Sequence, residues 1–161
     1  MDVKNILAHC DHPLLKQEST WAQIKEVCDD GLKYGCASLC IPASFVKQAA
    51  DYVGNELKIC TVIGFPNGYS TTAVKVFETE DAIRNGADEV DIVLNVGRML
   101  TGEYDEAANE VEVIRTEMDD DVVLKVIIES GALKTPELIR KASLLSMLAG
   151  ADFVKTSTGK I

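Results

Sequence analysis

The chain has no apolar run near the roughly 18 residues that a membrane-crossing helix needs. Its start, Met1-Asp2-Val3-Lys4-Asn5, lacks the basic region and apolar stretch of a secretory leader. These absences lead to the expectation of a cytoplasmic protein with no membrane partner. Basic residues are also scarce: 16 Lys and Arg stand against 26 Asp and Glu in 161 residues, a net charge of −10. A surface of that sign repels polyanions, so nucleic acid is not an expected partner. The five cysteines are an odd number without paired Cys-x-x-Cys spacing, and several lie in apolar stretches. Reduced thiols behaving as small hydrophobes are therefore expected, not a disulfide framework. His9, Cys10, Asp11 and His12 are all metal-ligand types, but neighbours along a strand point to opposite faces and no second cluster completes a site, so no metal is expected. The Gly-x-Gly-x-x-Gly turn of a dinucleotide-binding domain does not follow the first strand. No Pro/Gly/Ser-rich linker interrupts residues 1–161, which are read as one domain.

What is present is an alternation. Short runs rich in Val, Ile, Leu and Cys are followed by longer segments with helical periodicity, the pattern of parallel βα units. Strands are expected at Leu7–Asp11, Ala37–Ile41, Lys58–Phe65, Glu89–Asn95, Val122–Glu129 and Phe153–Ser157, with helices at Thr20–Tyr34, Ser44–Val53, Thr72–Arg84, Glu103–Met118 and Pro136–Leu148. Thr135 before Pro136 is an N-cap followed by proline at the first helical position, and Ser19 or Thr20 can cap the first long helix. Gly35, Gly86 and Gly150 each fall just past a helix and lead straight into a strand, where a left-handed residue ends the helix.

Two architectures use such units, the open doubly wound sheet and the closed (β/α)8 barrel. A strand between two helix layers should be apolar on both faces, whereas barrel strands point alternate residues inward. Three of the runs hold isolated ionisable residues: Asp91 in Glu-Val-Asp-Ile-Val, Lys125 in Val-Leu-Lys-Val-Ile and Lys155 in Phe-Val-Lys-Thr-Ser. With period two, Asp91 shares a face with Val93 and Asn95, Lys125 with Ile127 and Glu129, and Lys155 with Ser157. Lysine can snorkel out between helices but aspartate cannot. The expected fold is therefore an α/β barrel of about six βα units, with Asp91, Lys125 and Lys155 converging inside.

A lysine amine that is desolvated, or set beside another cation, loses its proton more readily and becomes a nucleophile toward carbonyl carbon. The resulting iminium draws electrons from a carbon–carbon bond beta to the original carbonyl, which is the chemistry of a Schiff-base aldolase without metal or organic cofactor. Asp91 is expected to shuttle protons while the imine forms and hydrolyses. Thr156-Ser157-Thr158-Gly159-Lys160 combines hydroxyls, a bare backbone N–H and a cation after the last strand, a composition suited to phosphate or to simple turn chemistry. Gly64-Phe65-Pro66-Asn67-Gly68 reads as a strand-to-helix turn.

Four segments, Cys60 to Gly68, Gly86 to Asp91, Leu124 to Glu129 and Gly150 to Gly159, together with Asp11-His12-Pro13-Leu14-Leu15-Lys16, closely resemble the deoxyribose-phosphate aldolase family. The segments occur in the family's order, with Pro13 where it usually has threonine. The resemblance implies a class I aldolase on a (β/α)8 barrel that cleaves 2-deoxy-D-ribose 5-phosphate to D-glyceraldehyde 3-phosphate and acetaldehyde. It implies the Schiff-base lysine at Lys155, the proton-relay aspartate at Asp91, the strand-five lysine at Lys125, and substrate or phosphate contacts at Asp11, Gly159 and Lys160. Cys40 lies where some members have a cysteine beside the site; a buried apolar thiol is the expectation here.

The match covers about six of the eight barrel units and stops at Ile161. The family's strand-seven Gly-x-Lys-x-x-Gly-Gly motif does not occur in this sequence. A six-strand remnant leaves unpaired strand edges, so a truncated chain, a homo-oligomer and a catalytically silent fragment acting only as a binding module all belong to the expectation.

Overall fold

A computed structural model describes residues 2–160. They form two compact units, one of the residues up to Val62 with Ala82–Glu89, the other of Ile63–Asp81 with Val90 onward.

The first unit opens with helix α1 (Val3–Leu7), followed by strand β1 (Asp11–Pro13). The expected strand Leu7–Asp11 is therefore wrong in both type and place. Val3, Ile6 and Leu7 have helical spacing, and the Asp2 side chain caps the segment by accepting from Lys4 N at 3.2 Å. None of the residues of α1 is buried. Helix α2 (Trp21–Tyr34) is entered through a capping box between Thr20 and Gln23 and left through Gly35 at φ 65°. Strand β2 (Ser38–Ile41) is buried throughout, and a 3-10 turn (Ala43–Phe45) precedes helix α3 (Val46–Val53). Strand β3 (Lys58–Ile63) completes a parallel set in sequence order, with Asp11 beside Ser38 and Ser38 beside Lys58. Ile24 and Cys28 of α2 and Leu39 and Ile41 of β2 lie in the core without solvent exposure. Gly31 permits this packing, because a Cβ there would stand 2.6 Å from Leu57 Cδ2 and 2.7 Å from Leu39 Cδ2.

Helix α4 (Thr72–Arg84) and strand β4 (Glu89–Val93) follow. In the second unit β4 is succeeded by α5 (Val96–Thr101), α6 (Tyr104–Thr116), β5 (Val123–Ile127), α7 (Ser130–Leu133), α8 (Pro136–Leu148) and β6 (Phe153–Lys155). The strands again lie parallel in sequence order, with Lys125 beside Phe153 and Ile127 beside Lys155. Ala107, Glu110, Val111 and Ile114 place one face of α6 in the core at helical spacing. Thr135 caps α8 by accepting from Leu138 N at 3.3 Å.

The aspartates after two of the junction glycines have a common task. Asp88 donates its backbone N–H to Ile59 O and accepts Ile59 N–H on Oδ2, both at 2.8 Å. Asp152 does the same to Leu124, again at 2.8 Å for both bonds. Each side chain thus fixes the start of the preceding strand and satisfies backbone groups that the ladder leaves unpaired. At their other ends, the expected strands after β2 overran by two residues. Gly64 turns at φ 62°, Asn95 caps α5 by accepting from Arg98 N at 3.2 Å, and Glu129 adopts φ 48°. Polar residues that continue the alternation in sequence have left the ladder to build loops.

Candidate active site

The second unit brings together three charges from three strands. Asp91, at the middle of β4, is fully buried, and Lys125 of β5 is 5% exposed. Lys125 Nζ lies 3.3 Å from Asp91 Oδ1, while Lys155 Nζ of β6 donates a hydrogen bond to Asp91 Oδ2. Period-two alternation sends all three side chains to the same side, and the parallel register seats Lys155 beside Ile127, one face-repeat beyond Lys125. A carboxylate with this burial would carry a desolvation cost of several kcal/mol if alone. Here each of its oxygens meets an ammonium. Lys155 is the accessible member: its side chain is 31% exposed, against 7% for Lys125 and 1% for Asp91. A partly solvent-exposed amine thus rests on a buried carboxylate that a second, buried lysine also meets.

The loop after β6 is tied to the strand beside it. Glu129, two residues beyond β5 and only 4% exposed, accepts from Thr158 N at 3.1 Å and from Thr158 Oγ1 at 2.5 Å. Ser130 N donates to Thr156 O at 2.7 Å. Gly159 follows at φ 72°, a backbone geometry that suits glycine, with open space where a Cβ would stand. Lys160 N donates to Thr158 Oγ1 at 3.2 Å, and its side chain is exposed. Gly159 and Lys160 therefore lie four and five residues beyond Lys155 on an anchored loop.

The family model for DeoC/LacD family aldolases matches residues 6–161. The chain belongs to this aldolase family. It is 52% identical over 159 residues to a deoxyribose-phosphate aldolase of Streptococcus pyogenes, covering 99% of this chain and 70% of that relative. A solved structure from Coccidioides immitis, assigned as a deoxyribose-phosphate aldolase, superposes with a TM-score of 0.95 at 36% identity, covering 100% of this chain and 63% of that one. The deoxyribose-phosphate aldolase of Aeropyrum pernix, a tetramer, gives 0.86 at 27% identity over 98% of this chain and 66% of its own. The chain thus spans between 63% and 70% of the length of these relatives. The fold class is α/β, and the six parallel strands with their connecting helices match those of the solved aldolases.

Two sequence candidates lie in the first unit. Asp11, at the start of β1, is half-buried and accepts from Ser38 Oγ at 2.9 Å. Cys40 of β2 is buried, 2% exposed, and forms no disulfide.

Two buried ionisable residues near this cluster, Glu129 and Lys75, are not marked as site residues by the sequence. Glu129 was noted only as sharing a face with Lys125, which was the signal that could have found it. Lys75 of α4 had no such signal, since a lone lysine in a helix reads as a surface residue. It is fully buried, and its ammonium donates to Gly68 O at 2.7 Å, Val93 O at 2.8 Å and Glu110 Oε1 at 2.6 Å. Burial draws its pKa down, against the pull of the Glu110 charge. The three acceptors come from the loop after β3, the end of β4 and α6, so one cation ties the strand that carries Asp91 to its surroundings.

Proposed function

We propose that this chain carries the Schiff-base chemistry of a deoxyribose-phosphate aldolase, the reversible cleavage of 2-deoxy-D-ribose 5-phosphate to D-glyceraldehyde 3-phosphate and acetaldehyde. The observation that supports this reading is the solvent-accessible Lys155 amine held on the buried carboxylate of Asp91, with Lys125 on the same carboxylate. In the proposed reaction the Lys155 amine adds to the aldehyde carbon of the open-chain sugar. Asp91 passes a proton to the departing hydroxyl, and water leaves as the iminium forms. The bond between sugar carbons 2 and 3 then breaks. Its electron pair moves into the enamine, and the hydroxyl on carbon 3 passes its proton, directly or through a water, to the Asp91 carboxylate as it becomes the aldehyde of glyceraldehyde 3-phosphate. The enamine takes a proton on carbon 2, and water hydrolyses the imine to release acetaldehyde and restore the amine.

Lys125 is assigned the part of the second cation, on the same carboxylate as Lys155. Gly159 and Lys160 are assigned to the phosphate group and Asp11 to the substrate, following their motif positions in the family. No metal or organic cofactor enters this scheme. The same reading makes the protein a cytoplasmic homo-oligomer; among the described residues, no helix is long and apolar enough to cross a membrane.

Borohydride reduction in the presence of acetaldehyde is the test. The expected product gains the mass of one ethyl group at Lys155, and Lys155→Ala gains none there. Absence of an adduct on the chain, under conditions that label a relative from Streptococcus pyogenes, would overturn the proposal in favour of a catalytically silent binding module.

A further inference from the structure

Glu129 is an expensive residue in its place. Its carboxylate is buried, with 4% of the residue exposed, and its backbone is held at φ 48° and ψ 63°, a left-handed conformation that residues with a Cβ adopt at a cost. Burying a carboxylate needs compensating hydrogen bonds. Those present both come from Thr158: its backbone N–H and its hydroxyl converge on Glu129 Oε2. The hydroxyl spends its one proton on Glu129, so the lone pairs of Thr158 Oγ1 accept the N–H of Lys160 at 3.2 Å. A chain of directed bonds therefore runs from β5 through Glu129 and Thr158 to the backbone of Lys160. Ser130 N bonded to Thr156 O fixes the same loop one step nearer Lys155.

We infer that Glu129 is a positioning residue, which acts through Thr158 to hold the Gly159–Lys160 backbone for an anionic group of the substrate. This rests on the assignment of those two residues to phosphate made above. Glu129 itself repels anions and is not a contact of the ligand. Its charge is turned into the loop and used up on Thr158, which is the arrangement an anion-binding loop requires if a carboxylate is to support it. Glutamine can accept both bonds on one oxygen without the charge, so geometry and charge are separable.

The test uses inorganic phosphate as the probe, titrated into the chain and followed on the backbone amide resonances of Gly159 and Lys160. Saturable shifts are expected for the parent chain and for Glu129→Gln, with affinity in Glu129→Gln equal or higher. Glu129→Ala is expected to weaken phosphate by about tenfold, the factor for losing roughly one net hydrogen bond's worth of organisation. Thr158→Val should repeat that loss and Thr158→Ser should restore affinity, so the inference is decided even if Glu129→Ala fails to fold. Equal phosphate affinity in Thr158→Val and the parent would overturn it, and so would absence of any phosphate shift in the parent. The acetaldehyde trapping described above needs no phosphate, so it reports separately on the aldolase reading.

Discussion

Replacing Lys75 with methionine is expected to destabilise the protein by at least about 4 kcal/mol. Methionine keeps most of the apolar stem but removes the ammonium, and with it three hydrogen bonds of 2.6 to 2.8 Å. The largest part of the loss comes from Glu110, whose side chain is 3% exposed and is left as a buried charge facing no ammonium. Breaking a buried pair in this way costs about 3–5 kcal/mol. The carbonyls of Gly68 and Val93 each lose a donor, adding roughly 0.5–1.5 kcal/mol apiece. A domain of this kind has only about 5–15 kcal/mol in total, so a large fall in the urea midpoint is expected. The double variant Lys75→Met with Glu110→Leu removes the stranded charge and should recover part of the loss, leaving about 1–3 kcal/mol from the two carbonyls. The measurement is a double-mutant cycle by urea unfolding monitored by circular dichroism. Strict additivity of the two single changes, or a Lys75→Met cost below about 1 kcal/mol, would refute the claim that one buried cation clamps this region.

Three other outcomes are expected. Asp91→Asn should slow imine formation and hydrolysis by about a hundredfold or more while leaving phosphate affinity nearly unchanged, as single-turnover kinetics would report; an unaltered rate removes Asp91 from proton transfer. Tyr52 Oη donates to Asp29 Oδ1 at 2.6 Å, and this bond first, then that from Lys25, holds the Asp29 carboxyl below its ordinary pKa. A depressed carboxylate stabilises the fold above its unfolded pKa and loses that contribution as pH falls through the folded value, so Tyr52→Phe should move the Asp29 titration upward by carboxyl NMR. Lys25, pushed up to about 12 by Tyr52 first and Asp29 next, works in the opposite direction: its contribution is present below the ordinary lysine pKa and lost as pH rises toward 12. Leu144 and Leu148 of α8 are 44% and 88% exposed and line a groove of about 300 Å3 with Arg140 and Lys141. Leu148→Lys is expected to lower self-association in sedimentation velocity, because a charge is costly to bury in an apolar contact; unchanged sedimentation would clear this face of any role.

The helices were legible where a residue had a local task. Thr135 with Pro136, and Gly35 past α2, act within a few residues of their own position, so the sequence pattern carries their role directly. Strand ends were not legible in the same way. Asn95 and Glu129 continue the alternation perfectly well in sequence, and nothing local says that Asn95 will turn to cap α5 or that Glu129 will adopt a positive φ. The first strand failed for a different reason. Val3, Ile6 and Leu7 followed by Cys10 satisfy a helical stripe and a short apolar run about equally, and five residues are too few for periodicity to choose.

The candidate site divides along the same line. An aspartate or lysine inside an apolar strand is visible because the strand has no use for it, and that anomaly singles out Asp91, Lys125 and Lys155 from sequence alone. Lys75 produces no anomaly, since helices carry lysines everywhere and only the arrival of Gly68, Val93 and Glu110 around its tip makes it an interior residue. Glu129 stands between the two cases. Its alternation with Lys125 put it on the right face, yet its partner is Thr158, 29 residues away on a loop whose course depends on the β5–β6 register. Charged residues set inside apolar strands thus leave a trace in the pattern of their own strand. Residues such as Lys75 and Glu129, whose bonds run to other elements, leave theirs in a partner's position, and this is where single-sequence reading loses its grip.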